Sequence, residues 1–343
     1  MRHRRRFRRI RGTGAVIDVV SPPVPLASVL MLTCNHAAFV EEAVRSVLAQ
    51  QCDFPFEIVL ADDASTDGTL EKVLDLQRLR PDLLRVLPAE RNLGIPANFG
   101  RCLAACRAPY VAMLEGDDFW TDGTKLQRQV DQLARDHTLA LSVCRTRNRQ
   151  FWARVKERYP LADLLRRYLF HTSSLVFRKE AADRFAADPG VRALDSLLIA
   201  HLATQGDCGF IDREMSYYRR HAGGAWSGQE LTRQIADTQA ATDALSRRFG
   251  GRYDAELFDR ELWIYGMMLQ LDLGQPVFPQ WKRRWPLVRP VLARTFRFHP
   301  VGSLLCLGRL LVLPAGAGLN RARIKLGLGT RLARWRAARN PKD

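Results

Sequence analysis

The feature that most constrains this chain is a regular alternation, between residues 26 and 120, of short apolar runs with segments of helical spacing. The runs are LASVLMLT, FEIVLA, LLRVLP and YVAMLE, and the segments between them include AFVEEAVRSVLAQ and TDGTLEKVLDLQRL. Apolar runs of this length indicate buried strands, and apolar residues at every third or fourth position predict helices. Buried strands that alternate with helices predict an α/β fold, with a mostly parallel sheet and helices on both of its faces.

Polar clusters follow three of these predicted strands. TCNH follows the first strand, DDASTDGT the second and EGDD the fourth. In open parallel sheets, ligands bind outside the carboxyl ends of the strands. The three loops are therefore expected to meet at one edge of the sheet. A solvated loop would explain one acidic cluster at this edge, but it explains two of them less well.

The EGDD cluster places three carboxylates, Glu115, Asp117 and Asp118, directly after an apolar run. Like charges at this spacing raise one another's pKa unless a positive charge lies among them. The loop therefore either extends into water or holds a cation.

The net charge of +17 is concentrated at the two ends of the chain. Residues 1–14 contain seven arginines and no acid, and residues 282–343 contain fifteen lysines and arginines against one acid. The body between them has a net charge of −4. Proteins that grip nucleic acid usually carry basic charge on the folded domain. The distribution favours ends that touch an anionic surface, and it disfavours a nucleic-acid partner.

The seven cysteines form no CxxC pair, and their number is odd. Both observations argue against a disulfide framework or a structural zinc site, and for a reducing compartment. The first residues, MRHRRRFRRIRGTG, lack a following apolar segment of the length that a signal peptide has. Residues 1–25 are therefore interpreted as a basic arm that ends in a Pro-rich linker.

The C-terminal part, residues 229–343, has a helical composition. Its apolar segment VGSLLCLGRLLVLP is too short and too charged for an ordinary membrane span. Four apolar residues then recur at helical spacing among seven basic ones; they are Ile324, Leu328, Leu332 and Trp335. A basic amphipathic helix of this kind fits the headgroup region of an anionic bilayer. The alternative is a helix that packs on the protein body and exposes a basic face.

Four segments, in this order, resemble the inverting family 2 glycosyltransferases, whose nucleotide-sugar-binding fold is called GT-A. They are SVLMLTCNHAAFVEEAVRSVLAQ, VLADDASTDGT, YVAMLEGDDFW, and ALDSLLIAHLATQG together with IDREMSYYRRHAGGAWSG. The resemblance runs from about Ser28 to Gly228. It implies a GT-A domain at residues 26–228, with a nucleotide-sugar-binding half at 26–120 and an acceptor half at 121–228. A helical C-terminal extension follows this domain.

The resemblance also implies a metal-binding role for the EGDD loop. Asp117 corresponds to the main ligand of Mg²⁺ or Mn²⁺, Glu115 to a residue near the ribose or a metal-bound water, and Asp118 to a support for the loop. These cations prefer hard oxygen ligands. A cation that bridges the phosphates of a nucleotide stabilises the negative charge that grows on this leaving group.

Members of the family bind the nucleotide through polar residues at these strand ends, which correspond here to Thr33, Asn35, Asp62 and Asp63. The family uses an aspartate at the second strand end to accept a hydrogen bond from uracil, which suits the acceptor-only chemistry of a carboxylate. The alternative is turn and helix-capping chemistry in DDASTDG, with Thr66 or Asp67 as the N-cap. Relatives commonly carry a tyrosine, able to stack on the base, where this chain has Cys34.

By the same resemblance Asp195 is the general base, which takes the proton of the acceptor hydroxyl as this attacks the anomeric carbon. Direct displacement then inverts the sugar carbon. The alternative role of Asp195 is the N-cap of a helix. Arg220 and His221 correspond to ligands of the diphosphate, beside glycines that suggest a closing loop; the alternative is a basic surface hairpin. His171 is interpreted as structural or acceptor-facing.

The resemblance thus implies a metal-dependent inverting glycosyltransferase, and it alone suggests a role in bacterial surface polysaccharide synthesis. Its expected partners are a nucleotide-sugar donor, with a UDP-sugar favoured, and a glycan or lipid-linked acceptor. The basic C-terminal helices are expected to hold it on an anionic membrane, at the cytoplasmic face. The alternatives are a catalytically silent GT-A module, a nucleotidyltransferase and, least favoured, a basic nucleic-acid-binding protein.

Overall fold

The computed structural model describes residues 24–148, 155–167, 169–188 and 190–271, together with Arg289, Ala293 and Phe296. Its strands are Ala27–Thr33 (β1), Phe56–Asp62 (β2), Leu84–Pro88 (β3), Tyr110–Glu115 (β4), Phe119–Trp120 (β5), Leu139–Arg147 (β6), Arg158–Tyr159 (β7), Val176–Arg178 (β8) and Asp207–Tyr217 (β9). Its α-helices are Val40–Leu48 (α1), Thr69–Leu79 (α2), Ile95–Ala105 (α3), Lys125–Arg135 (α4), Leu161–Arg166 (α5), Leu194–Leu202 (α6), Leu231–Phe249 (α7) and Asp254–Leu271 (α8). Short 3₁₀ helices span Thr172–Ser174 and Lys179–Ala182.

One sheet contains all of these strands, in the order β3-β2-β1-β4-β8-β6-β9-β5, with β7 paired to β9. The first four strands of the chain pair in parallel, and so do the two longest strands, β6 and β9. The short strands β5, β7 and β8 pair antiparallel with their neighbours. The predicted α/β fold with a mostly parallel sheet and helices is confirmed.

Both faces of the central strands are covered, as their continuous apolar sequence requires. Along β1, Leu30 and Leu32 belong to the cluster that includes Phe99 of α3. The alternate residues Val29 and Met31 belong to a second cluster with α1, α2 and α4. Successive side chains of a strand point to opposite faces, so the two clusters are the two layers of core on either side of the sheet.

The described helices after residue 229 pack on helices that precede them in the chain. α7 packs on α6, and α8 packs on α5 and α7. These four helices share an apolar cluster that contains Leu165, Leu197, Leu245 and Leu257. No helix among the described residues is long and apolar enough to cross a membrane. The N-terminal arm and the basic segment at 324–335 lie outside the described residues, and the predicted boundary at 228/229 stays a prediction.

The second half of the fold differs in several places from what the sequence predicts. The apolar segment HTSSLVF (171–177) predicts one strand, but it forms a 3₁₀ turn followed by the short β8, because the His171 imidazole accepts a hydrogen bond from the Ser173 N–H and caps the turn. CGFID and EMSYYRRH predict two short strands, but CGFID and the first four residues of EMSYYRRH belong to the single strand β9, which ends at Tyr217. The strands β5, β6 and β7 and the helix α5 were not predicted from the sequence. The β6–β9 register shifts twice after Cys144, and such bulges disturb the two-residue alternation.

Lys125, at the start of α4, is fully buried, and its Nζ has no hydrogen-bond partner. The ammonium lies 4.2 Å from the centre of the Trp120 ring. Burial lowers its pKa from 10.5 to about 8, against a smaller opposing effect of Cys144. The unfolded chain therefore binds more protons than the folded one between pH 8 and 10.5, and the free energy of unfolding rises with pH across this window.

We expect Lys125→Met to raise the free energy of unfolding at pH 7 by on the order of 2–3 kcal/mol, because the uncompensated buried charge is removed. The rise of stability between pH 8 and 10.5 should flatten in this variant. Urea denaturation at several pH values measures both effects. Lys156→Met, at a half-exposed lysine paired with Asp163, is the matched control. Equal stability of Lys125→Met and wild type at pH 7 would contradict the prediction.

Candidate active site

The register of the parallel strands brings the predicted site residues into one row. Thr33 lies opposite Asp62, and Leu32 lies opposite Glu115. The Gly116 N–H donates to the Leu32 carbonyl, with 2.8 Å between N and O. The loops that follow β1, β2 and β4 therefore begin side by side at one edge of the sheet, where the parallel fold was expected to place a site.

Gly116 packs against the β1 loop so closely that no side chain fits. A Cβ at this residue would lie 2.7 Å from Thr33 Oγ1 and 2.9 Å from His36 Nδ1. Both of these polar atoms are buried and have no hydrogen-bond partner among the residues that the structure describes, and the same holds for Glu115 Oε2. Buried polar atoms are normally paired, so three such atoms around one glycine mark this edge as a place where a ligand or ion can supply the missing contacts.

We expect Gly116→Ala to lower the free energy of unfolding by about 1–3 kcal/mol, because the added methyl group overpacks the site. Gly100→Ala is the control. Gly100 lies within α3 with no atom within 4 Å of an added Cβ, so alanine there should stabilise by about 0.5–1 kcal/mol. Urea denaturation compares the two. An unchanged free energy of unfolding in Gly116→Ala would show that the β1 loop can move away from β4.

Asp117 lies between two imidazoles. Its Oδ2 is 3.0 Å from His221 Nε2 and 3.7 Å from His36 Nε2. The two rings meet edge to face, with their centres 6.3 Å apart. Burial lowers the pKa of His36, although Asp117 opposes this shift, so the neutral ring is favoured. Neutral imidazole nitrogen and carboxylate oxygen are both metal ligands.

Asp118 points the other way from Asp117, into the protein. Its side chain is 2% exposed, and its Oδ1 accepts a hydrogen bond of 2.9 Å from the Arg219 N–H. Burial raises its pKa well above the ordinary value, and the charges of Glu115 and Asp117 add to this shift. The geometry supports the expected role of Asp118 in holding the loop. We call residues 115–118 the carboxylate loop.

The Glu115 carboxyl also has a strongly raised pKa. Burial, and then the charges of Asp117 and Asp195, raise its pKa to about 8, while a hydrogen bond from Thr172 opposes the shift. The mutual repulsion expected from the sequence therefore acts among these carboxylates. A cation would restore the ionised form, because an opposite charge nearby favours it.

The described residues also contain a group of three possible metal ligands, formed by Glu115, Asp118 and His171. One ligand atom from each lies within 4.8 Å of the others. However, His171 Nδ1 already accepts from the Ser173 N–H, and it lies 2.8 Å from the Ser173 hydroxyl. Asp118 is similarly engaged by Arg219. Asp117 with His221 is therefore the more accessible pair of donors for a cation.

Asp62 and Asp63 use their carboxylates to shape the nucleotide-side loops. Asp62, fully buried, accepts from the N–H and the hydroxyl of Ser65. Asp63, 4% exposed, accepts from the N–H groups of Leu93 and Gly94 at 2.7 and 2.9 Å. These contacts favour a positioning role for both residues. A direct hydrogen bond from a base stays a prediction.

The β1 and β2 loops are joined by polar contacts. The Asn35 N–H donates to the Ser65 hydroxyl, and Asn35 Oδ1 accepts from the Thr66 N–H. Asn35 and Ala64 both have a φ near +57°, a conformation uncommon for residues other than glycine. Such backbone is usually retained at functional sites. The half-exposed Cys34 lies beside these residues, with its Sγ 3.4 Å from Asn92 Nδ2.

The N-cap of α2 is not the residue that the sequence suggests. α2 begins at Thr69 with Gly68 as its N-cap, so neither Thr66 nor Asp67 holds that position. Asp67 nevertheless accepts from the N–H of Thr69 through Oδ1, and from the N–H of Ala37 through Oδ2. It therefore ties α2 to the β1 loop.

Asp195 lies in the first turn of α6, and its charge is felt by Glu115. The N-cap of α6 is Ala193, so the alternative interpretation of Asp195 as the N-cap is wrong. Its Oδ1 accepts a 2.7 Å hydrogen bond from the Ser196 N–H. The helix thus fixes a carboxylate whose charge acts on the carboxylate loop.

His221 and Arg220 diverge from one another. His221 contacts Asp117, whereas Arg220 is exposed with its guanidinium 5.7 Å from the Tyr218 ring centre. Sequence reasoning missed two residues of the site, His36 and Arg219. Both stand in segments that it had singled out, TCNH and YYRRH, but only the tertiary contacts show which way each side chain points.

Residues 28–188 match the model of the glycosyl transferase family 2, and this part of the chain is similar to that family. The uncharacterized protein Rv1520 of Mycobacterium tuberculosis is 34% identical over 211 residues, which are 58% of this chain and 60% of that protein. The chain thus covers less than two thirds of this relative's length. A putative teichuronic acid biosynthesis glycosyltransferase of Bacillus subtilis, TuaG, is 32% identical over 31% of this chain and 41% of its own.

Two solved structures share the fold. TarS of S. aureus, residues 1–349 in complex with UDP-GlcNAc, superposes with a TM-score of 0.57 at 17% identity, over 79% of this chain and 83% of its own. The mannosyltransferase PcManGT of Pyrobaculum calidifontis, in complex with GDP-Man and Mn²⁺, superposes with a TM-score of 0.56 at 19% identity. The superposition covers 84% of this chain and 87% of PcManGT. The likeness confirms the GT-A fold.

Proposed function

We propose that this protein is a metal-dependent glycosyltransferase that moves a sugar from a nucleotide-sugar donor to a glycan or lipid-linked acceptor, with inversion at the anomeric carbon. The observation that carries the proposal is the arrangement at the sheet edge. The exposed side of the carboxylate loop presents Asp117 beside His221, and Asp195 faces the same loop from α6. A cation site thereby lies next to a candidate base.

Asp117 and His221 would hold the cation, and the orphaned buried oxygens around Gly116 support a site for an ion or ligand here. The bound ion would stabilise the charge that develops on the diphosphate leaving group. One carboxylate and one imidazole leave most coordination positions to phosphate oxygens and water. An imidazole ligand favours Mn²⁺ over Mg²⁺, because Mg²⁺ prefers oxygen. Two solved relatives, in complex with UDP-GlcNAc and with GDP-Man and Mn²⁺, support this assignment.

The nucleotide would lie over the loops of β1 and β2. Thr33 has a buried hydroxyl without a partner that faces Gly116. Asn35 joins the two loops, and Asp62 and Asp63 hold them in place. Glu115, which pairs with Leu32 at the end of β4, would face the ribose. The exposed Arg220, whose guanidinium lies 5.7 Å from the Tyr218 ring centre, would reach the diphosphate.

Asp195 would take the proton of the attacking acceptor hydroxyl. Its Oδ1 accepts from the Ser196 N–H, which orients the carboxylate. A single base on one side of the sugar and a leaving group held by the cation on the other define one in-line displacement. Such a displacement inverts the configuration of the anomeric carbon.

The place of the reaction is proposed from the relatives and the charge distribution. The name of TuaG points to surface polysaccharide synthesis, and the basic ends of the chain suit an anionic lipid surface. The enzyme would work at the cytoplasmic face of a bacterial membrane, where lipid-linked acceptors can be reached by a peripheral protein.

The test is thermal stabilisation of the purified protein by UDP, GDP and TDP, each with and without Mn²⁺. A ligand that binds the folded state raises the unfolding midpoint by mass action. We expect one diphosphate to raise it, and only when Mn²⁺ is present. The matching nucleotide-sugars are then assayed for metal-dependent release of that diphosphate. No shift with any of the three nucleotides would overturn the proposal.

A further inference from the structure

Arg219, which follows the end of β9, makes polar contacts to two separate parts of the site. Its backbone N–H donates to Asp118 Oδ1 at 2.9 Å, and its Nε donates to the Asp117 carbonyl at 2.8 Å. A terminal N–H group donates to Glu42 Oε2 on α1. One residue thus ties the carboxylate loop to the end of β9 on one side and to α1 on the other.

Aromatic rings fix the orientation of this guanidinium. It lies 4.8 Å from the ring centre of Phe39 and 5.3 Å from that of Phe119. Phe119 in turn stacks on Tyr217, with 4.7 Å between ring centres and 18° between planes. Cations over aromatic faces are attracted by the ring quadrupole. These contacts therefore hold the side chain in one orientation.

We propose that Arg219 is a positioning residue for the cation of the proposed glycosyltransferase. The inference rests on that function. Arg219 and His221 belong to the same short segment, and Arg219 anchors this segment to the backbone of Asp117. The contact sets the 3.0 Å separation of the His221 nitrogen and the Asp117 carboxylate. Without the anchor, the two donors would no longer be held at a distance suited to one ion.

Arginine suits this task better than lysine. The guanidinium is planar and carries five N–H donors in a fixed fork, so it can donate to Asp117 and Glu42 at once while its face stacks on Phe39. An ammonium is a compact point charge on a flexible stem. Lysine at this position could satisfy one of the two acceptors, but it would not hold both at a fixed angle.

The experiment measures metal affinity and loop protection in Arg219→Met and Arg219→Lys. Mn²⁺ is titrated at fixed UDP, and in parallel at fixed GDP, with the unfolding midpoint as the signal. Amide hydrogen exchange of residues 115–119 is followed in the metal-free protein. Arg147→Met is the matched control, because the Arg147 side chain pairs with Glu214 on the same sheet rather than with the carboxylate loop.

We expect Arg219→Met to raise the Mn²⁺ concentration for half-maximal stabilisation by about 10–100-fold, the usual effect of removing a support of a metal ligand. Arg219→Lys should lie between it and wild type, and Arg147→Met should equal wild type. Exchange at residues 115–119 should become faster in Arg219→Met. Glu42→Gln should give a smaller effect that does not add to that of Arg219→Met, because both remove the same tether.

Unchanged exchange of the loop in Arg219→Met would overturn the inference. So would faster exchange with unchanged Mn²⁺ dependence, because the loop would then move without consequence for the ion. If wild type shows no metal-dependent nucleotide binding, the proposed function is overturned, and this result alone does not decide the role of Arg219. The exchange measurement then decides whether Arg219 holds the loop, and Mn²⁺ titrated alone, followed by the EPR signal of the free ion, decides whether it positions metal ligands.

Discussion

Asp195→Asn is expected to lower kcat of sugar transfer by about 10²–10⁴-fold, the range that a positioned general base contributes. Asparagine keeps the size of the side chain and an oxygen able to accept from the Ser196 N–H. It cannot take a proton from the acceptor. Metal-dependent binding of the diphosphate should therefore stay within about twofold of wild type, since the role proposed for Asp195 lies on the acceptor side.

The measurement is steady-state transfer with the active nucleotide-sugar, beside thermal stabilisation by its diphosphate. Asp254→Asn is the matched control, because Asp254 also lies in the first turn of a helix and accepts a hydrogen bond from a serine. It should leave kcat unchanged. An Asp195→Asn variant that keeps more than a tenth of the wild-type kcat would show that another group takes the proton.

Asp117→Ala is expected to abolish metal-dependent nucleotide binding. Wild type at a nucleotide concentration 100 times the Kd gains about 2.7 kcal/mol, which raises the midpoint by a few degrees in a domain of this size. The variant should show no such rise with Mn²⁺, and its transfer rate should fall to background. Removing Asp117 leaves His221 without its carboxylate neighbour, so the ion loses its anionic ligand.

The stability of the ligand-free variant separates this result from misfolding. Asp117 raises the pKa of Glu115 and Asp118, because the three like charges repel one another. Its removal relieves this repulsion, so ligand-free Asp117→Ala should be no less stable than wild type in urea. Asp131→Ala, at a half-exposed carboxylate paired with Arg135, should keep the full nucleotide response. A metal-dependent shift that persists in Asp117→Ala would point instead to the group formed by Glu115, Asp118 and His171.

The first half of the fold was predictable because its signals are local. β4 was predicted at its observed bounds, and β1 and β2 to within one residue. Continuous apolar runs between helices leave few alternatives to a parallel sheet. The second half was less predictable. β6 and β9 contain register shifts, and residues 171–174 turn because one imidazole caps them.

The candidate site was likewise predictable only in part from the sequence. That the carboxylates of DDASTDGT and EGDD lie at one edge followed from strand polarity alone, and the register of β1 with β2 and β4 agrees. The direction of each side chain did not follow. Asp117 and Asp118 are neighbours of identical chemistry, yet Asp118 is buried under Arg219 and Asp117 is presented to His221.

The sequence by itself determined the fold class, the strand ends at which a site can form, and the kinds of ligand atoms available there. These depend on local hydrophobic spacing and on the parallel order of the strands. Only the tertiary structure decided that His221 meets Asp117 from 104 residues away, and that Arg219 joins the carboxylate loop to α1. Such contacts depend on how β9 packs beside the β4 loop, and no pattern of nearby residues encodes that distance.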